Sequence, residues 1–219
     1  MRARISLAVQ LGMLLPGQRL PSPEETAHAF EVSEITVRRA YRALVDEGLV
    51  VRRRGHTGGT FIADVPPAAP AADTEAYRAD ANHVHGLIDQ RATLEAGLAA
   101  RASINRTDVH LATMTGLVDR MRLATDWAEY READAAFHAE LAAASGLPAA
   151  AALHHRISHE LYAYFIPYRI DLLHASNEQH AVLVAALSDH DAAESSRLAF
   201  EHVAHLHDSM YVGLAPKPL

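Results

Sequence analysis

Residues 134 to 141 read DAAFHAEL. On a helix, Asp134 and His138 stand four apart, so both side chains leave one face about one turn from each other. A carboxylate oxygen and an imidazole nitrogen so placed can share a metal ion. The chain contains no cysteine, so thiolate metal sites, disulfides and cysteine nucleophiles are excluded. The ligands on offer are nitrogen and oxygen, a set suited to zinc, nickel or manganese. A lone D-x-x-x-H pair is a weak signal, far more often a surface hydrogen bond or a histidine packed at a helix seam. Thirteen of the fifteen histidines fall after residue 63. Among them are His180, in EQHAVLVAALSDH, and His202, in RLAFEHVAHLH, where Leu198, Val203 and Leu206 set the inward side. His205 and His207 flank His202, and periodicity alone does not choose among the three. His83, His85 and His110 read as solvent-facing or capping, and HHRISH (154–159) as an exposed helix face. Tyr162, Tyr164, Phe165 and Tyr168 have the spacing of an aromatic band filling a helical core.

A second chemistry lies near the N-terminus. TVRRAYRALVDEGLVVRRRG (36–55) holds six arginines in twenty positions, in a chain of net charge -7. On a helix, Val37, Ala40, Tyr41 and Leu44 form the buried stripe, which leaves Arg38, Arg39 and Arg42 pointing outward. Such a helix suits a DNA major groove, where arginine donates two bonds to guanine and others to phosphate. Arg52, Arg53 and Arg54 follow on a hairpin beside His56, in phosphate- or minor-groove-reaching positions. Residues 1–63 carry nine arginines against six carboxylates, a net of +3, and the remainder carries eleven basic against twenty-one acidic residues, a net of -10. The two parts meet different partners.

The elements that must position these residues are legible in outline. Ser22 and Ser33 are helix N-caps, Gly48 is a C-cap, and LVVRRR and GTFIA flank a glycine-rich turn, so residues 1–63 are predicted to form three helices and a β-hairpin. That is a winged helix-turn-helix. ADVPPAAPAADTE implies an extended Pro/Ala linker over 64–76. Residues 77–213 are predicted to be an all-α antiparallel bundle of about six helices, with loops near Asn105, Thr125, Gly146 to Pro148, Ser176 to Asn177, and Asp189. The fold class is therefore mainly α. No apolar run approaches the ~20 residues of a membrane span and the N-terminus lacks a signal-peptide pattern, so a cytoplasmic protein with no membrane partner is expected.

LLPGQRLPSPEETAHAFEVSEITVRRAYRALVDEGLVVRRRGHTGGTFI (14–62) resembles the DNA-binding domain of GntR-family bacterial transcription regulators. P-G-x-x-L-P-S, V-S-x-x-T-V-R, L-x-x-E-G-L-V and G-x-x-x-G-T-F-I stand in order. The resemblance implies that Ser33, Thr36 and Arg38 contact DNA from the recognition helix, and Arg54 and Gly55 from the wing. Glu24 and Glu34 stand where relatives commonly have arginine, and Arg39 where many have glutamate, which implies an altered or weakened operator preference. IDQRATLEAGLAARA (88–102), DAAFHAELAAASG (134–146), EQHAVLVAAL (178–187) and DAAESSRLAFEHVAHL (191–206) resemble the FCD ligand-binding domain of the FadR subfamily. This resemblance implies a divalent metal, zinc first with nickel or manganese as alternatives, on Asp134, His138, His180 and His202. Leu147 and Pro148 replace an asparagine common in relatives.

A metal that accepts six ligands and receives four from protein keeps positions for a carboxylate or hydroxy-acid effector. Arg91, at the R-x-x-L-E position, could pair with that effector's carboxylate or with Glu95, four residues on. The expected protein is a homodimeric repressor that binds two-fold operator DNA and is not an enzyme. Alternatives are a metal-dependent hydrolase, with Glu140 or Glu160 as base, and a regulator that senses metal alone.

Overall fold

The computed structural model describes residues 1–55, 58–68 and 79–209. His56, and the part of the expected linker beyond residue 68, lie outside the described residues.

The N-terminal unit begins with α1 (Arg2–Gln10), α2 (Pro23–Ala29) and α3 (Glu34–Asp46), followed by β1 (Val50–Arg53) and β2 (Gly59–Ile62). Ser22 closes a capping box with Glu25 at the start of α2, and the Ser33 hydroxyl accepts from the Thr36 amide to start α3. These bonds satisfy backbone donors that a helix start leaves open. Gly48 ends α3 at φ 74°, a conformation that L side chains resist. The two strands pair antiparallel, Val50 opposite Ile62 and Arg53 opposite Gly59. Gly58 closes the wing where a Cβ would sit 2.6 Å from the Arg53 carbonyl oxygen. Val37, Tyr41 and Leu44 pack beneath with Ile5, Leu14 and Ile62.

The C-terminal unit is a bundle of α4 (Ala81–Asn105), α5 (Asp108–Leu123), α6 (Trp127–Ala144), α7 (Pro148–Tyr162), α8 (Ile170–Ser188) and α9 (Ala192–Ala204), with the four-residue α10 (Leu206–Ser209) after it. Among the described residues of this unit there is no strand, and no described helix is long and apolar enough to cross a membrane. Central α4 packs on α9, α7 and α6, while α5 packs on α6 and α8. One expected break is misplaced. Ser176 and Asn177 lie inside α8, and the interruption falls at 163–169 instead. Asn177 does not signal a loop because it is buried, with its side-chain amide donating to the Val118 carbonyl at 2.9 Å.

The two units share one apolar core. Trp127, Ile157, Leu161 and Ile166 of the bundle cluster with the buried residues of the winged unit, and Phe30 meets Trp127 at 4.9 Å between ring centroids. Arg4 reinforces this seam. Its guanidinium lies 4.0 Å over the Phe30 ring and donates to the carbonyls of Tyr162, Ala163 and Phe165 at 3.3, 2.7 and 3.1 Å. The first two carbonyls belong to the end of α7 and its cap, where a helix leaves acceptors unsatisfied, and the third to the segment just after it.

Candidate metal centre and DNA-facing surface

Asp134 and His138 project from α6, His180 from α8 and His202 from α9, and one ligand atom from each falls within 4.8 Å of all the others. The Nε2 atoms of His138 and His180 are 3.4 Å apart, and both face Asp134 Oδ1, at 3.7 and 3.5 Å. His202 stacks on His138 with 5.3 Å between centroids. The α6 spacing that raised the possibility of a metal thus sits where two other helices each bring one imidazole.

The far side of each ring decides what these groups can do. His138 Nδ1 lies 2.5 Å from Glu95 Oε1, His180 Nδ1 lies 3.3 Å from Asn177 Oδ1, and His202 Nδ1 lies 2.7 Å from Gln179 Oε1. With an oxygen acceptor in front of it, each Nδ1 carries its hydrogen, which leaves Nε2 of the neutral ring a lone pair for the shared space. This is how metal-binding imidazoles are fixed in tautomer and orientation. His138, raised by Glu95 and bonded to Asp134, must give up its Nε2 proton to ligate. Burial, with His138 close by, lowers the His202 pKa to about 4, and burial with His202 holds His180 well below the usual imidazole value. Both rings are therefore neutral at pH 7 and able to ligate. Burial by itself would raise the Asp134 carboxyl, but the charge and hydrogen bond of His138, helped by His180 and Arg91, hold it well below the usual carboxylate range. The donor set fits a borderline divalent ion such as zinc or nickel.

Glu95 anchors the site from behind. It is fully buried on α4, receives Arg91 Nε at 3.1 Å and faces His154 Nε2 at 2.7 Å. Burial disfavours its charge, but His138 and Arg91 outweigh that and hold its pKa well below the usual range. The same carboxylate raises His138 against the effect of burial. Arg91 therefore pairs with Glu95 and also borders the cavity beside the cluster. His154 corrects the expectation of an exposed face for HHRISH: it is buried, because Glu95 draws it inward. His110 does cap a helix, closing a capping box with Thr107.

A cavity of about 560 Å³ opens at the cluster. Asp134, His138 and His202 border one end, and Trp127, Phe165 and Tyr168 border it elsewhere, together with Met13 and Phe30 from the winged unit. Phe165 and Tyr168 are therefore lining residues and not simple core filling. The helical spacing that suggested a core stops at Tyr162, where α7 ends.

On the winged unit, Ser33, Thr36, Arg38, Arg39, Arg42, Arg52, Arg53, Arg54 and Gly55 are all exposed. Arg38 is held by Glu34 one turn before it, and Arg53 lies 4.6 Å over the Phe61 ring. Ser33 and Thr36 also serve the helix start, their hydroxyls 2.8 Å apart. Glu24 is exposed on α2.

Sequence reasoning missed Glu95, Asn177 and Gln179 as supports of the histidines, and Phe30 as a cavity wall. Asn177 stands three residues before His180, a helical neighbour spacing that an uninterrupted α8 would have made visible.

Comparison with known proteins fits these two surfaces. Residues 2–62 match the model for bacterial regulatory proteins of the gntR family, and residues 87–205 match the FCD domain. RmpR of Mycobacterium gastri, named as an HTH-type transcriptional regulator, is 28% identical over 219 residues, covering 95% of this chain and 80% of its own length. YcbG of Bacillus subtilis, named likewise, is 26% identical over 98% of this chain and 90% of its own. The solved structure of E. coli McbR/YncC shares the fold, with a TM-score of 0.53 at 18% identity and coverage of 98% of this chain and 96% of that one.

Proposed function

The chain belongs to the GntR family of DNA-binding transcription regulators and carries an FCD domain, and from that premise we propose that Asp134, His138, His180 and His202 hold a divalent transition metal that receives a small carboxylate or hydroxy-acid effector. Its relatives are regulators and not enzymes. The observation that carries the reading is that the three imidazoles each have Nδ1 engaged by a neighbouring oxygen while one ligand atom from each, and from Asp134, lies within 4.8 Å of all the others. When bound, the metal supplies Lewis acidity and vacant positions for oxygen ligands. The protein groups do the rest. Glu95 fixes His138, Asn177 and Gln179 fix the other two rings, and Trp127, Phe165 and Tyr168 line the space beside the carboxylate.

The cavity also supports a route to DNA. Met13 and Phe30 belong to the winged unit yet border the effector space, so an occupant touches both units. A ligand shifts a conformational equilibrium only through its different affinity for the two states, and direct contact with Phe30 provides such a difference. In this reading residues 1–63 are the DNA-binding domain, 64–76 the linker and 77–213 the effector and dimerisation domain. A homodimer places two recognition helices on a two-fold operator, with Arg38, Arg39 and Arg42 entering the major groove from α3, Ser33 and Thr36 beside them, and Arg52, Arg53, Arg54 and Gly55 reaching the backbone from the wing. In this reading the protein is a repressor, and effector binding releases it from DNA.

The test is fluorescence anisotropy on a duplex selected by the protein from a random pool. Adding a hydroxy acid to zinc-loaded protein is expected to weaken DNA binding, with no response from metal-stripped protein. A response to zinc alone, unchanged by any acid, would reduce the site to a metal sensor.

A further inference from the structure

Arg131 is a cation with no anionic partner among the described residues. Its Nε and Nη1 are shielded from solvent and make no hydrogen bond. The guanidinium lies 3.2 Å from the centroid of the Tyr162 ring and 5.6 Å from that of Phe165. The indole N–H of Trp127 and the Tyr162 hydroxyl are likewise shielded and without a hydrogen-bond partner. Buried donors are rarely left so, and of these groups Trp127 and Arg131 border the cavity beside the cluster, where they call for an acceptor. Trp127, Arg131, Asp134 and His138 succeed one another on α6 at helical spacings, so they share one face, and all four border the cavity.

Charge decides what the acceptor must be. Arg91 also borders the cavity but is neutralised by Glu95. A divalent metal on Asp134 and three neutral imidazoles leaves one positive charge, and Arg131 adds a second. Asp208 borders the cavity too, but it is solvent-exposed on α10 and forms no ion pair with Arg131 among the described residues. A monocarboxylate on the metal would leave Arg131 uncompensated in an apolar wall, a costly state for a desolvated charge.

We propose that Arg131 is the second anchor of the effector, so that the ligand is a dianionic hydroxydicarboxylate. One carboxylate and its neighbouring hydroxyl meet the metal, and the other carboxylate is received by Arg131 with the Trp127 indole N–H. Three residues separate Arg131 from Asp134, or ~4.5 Å along a helix axis, so a short diacid spans the two heads. This rests on the metal-receptor reading above and adds the charge and shape of the ligand.

Isothermal titration of the zinc-loaded full chain with 2-hydroxyglutarate and 2-hydroxypentanoate tests it. The two acids share the metal-binding head and chain length, and they differ in a terminal carboxylate against a methyl group. The diacid is expected to bind at least ~10-fold more tightly, as a charge-assisted bidentate pair provides. Arg131→Gln should abolish that preference by weakening 2-hydroxyglutarate binding, with zinc content unchanged, and Arg131→Lys should retain part of it. Equal affinity for both acids in the parent protein, which needs no variant to fold, would overturn the role of Arg131 and leave the metal receptor standing. A preference that survives in Arg131→Gln would do the same. If neither acid binds the zinc-loaded parent, the receptor reading fails and this inference fails with it.

Discussion

The winged unit and the bundle use ionisable residues in opposite ways. On the winged unit the arginines of α3 and β1 stand exposed, and where they have partners the contacts are solvent-facing: Glu34 for Arg38 and the Phe61 face for Arg53. In the bundle, Arg91, Glu95, His138, His154 and His180 are all buried and joined in one network with Asp134. A polymeric anion is met by many solvated contacts, each weak and screened by salt. A small ligand offers few atoms, so the groups that meet it must be desolvated and fixed beforehand. The contrast predicts that substitutions in the bundle produce large, local losses, and substitutions on the winged surface smaller, salt-dependent ones.

The largest effect is expected at the ligands. His180→Ala should leave the purified protein without stoichiometric metal, measured by elemental analysis, while DNA binding persists in a form that no hydroxy acid alters. Next is Glu95→Gln, which keeps the size of the side chain but removes the charge that orients His138. Metal affinity should fall about 10–100-fold in competition with a chromophoric chelator. The buried Arg91 loses its counter-charge as well, at a cost of roughly 3–5 kcal/mol on unfolding in urea. If Glu95→Gln holds metal as tightly as the parent, the carboxylate is structural only.

On the winged side, Arg38→Ala should weaken binding to the selected duplex by about 1–3 kcal/mol if it pairs with a base. A uniform loss across sequences, with a shallower salt slope, would assign it to phosphate instead. The smallest effect is expected from Glu34→Gln. That change frees Arg38 from an exposed ion pair worth about 0–1 kcal/mol and removes a repulsion from phosphate, so DNA affinity should rise a few-fold at low salt. A loss would mean that Glu34 reads a base, and no change would mean that its ion pair does not restrain Arg38.

Acid sharpens the same contrast. Burial, with His138 nearby, lowers His202 from the ordinary imidazole value of 6.5 to about 4. The fold therefore favours the neutral ring, and the unfolded chain binds more protons between those values. Stability from this source is complete above about pH 6.5 and is lost as pH falls through about 4. His180 is shifted in the same direction, and His138, raised by Glu95, works against them. Metal-free protein should thus lose thermal stability across that window, and metal-loaded protein should release its ion as protons compete for the rings.

How much could be read in advance also differs between the two regions. The wing, the recognition helix and their exposed arginines follow from local signals: capping serines, a C-cap glycine, and an apolar stripe that leaves Arg38, Arg39 and Arg42 outside. The Asp134 and His138 pair was equally local. His180 and His202 were candidates that periodicity could not separate from their neighbours, and their place beside the pair depended on family resemblance. Glu95 was legible only as a partner for Arg91, and its contact with His154 was not, because nothing in IDQRATLEAGL or HHRISH says that two helices will bury a carboxylate and an imidazole against each other. Ser176 and Asn177 misled for a related reason. Polar residues suggest a loop unless a buried acceptor, here the Val118 carbonyl, awaits them. Phe30 lies at the end of α2, where sequence cannot foresee a contact with a helix almost a hundred residues later.

The most direct test of the metal centre is the amount of transition metal per chain in purified protein beside its His180→Ala variant, after incubation with zinc or nickel and removal of free ion. About one equivalent in the parent and none in the variant is the expected result for four protein ligands sharing a single ion. A parent protein that retains no metal would contradict it, leaving a DNA-binding regulator whose buried histidines serve the fold alone.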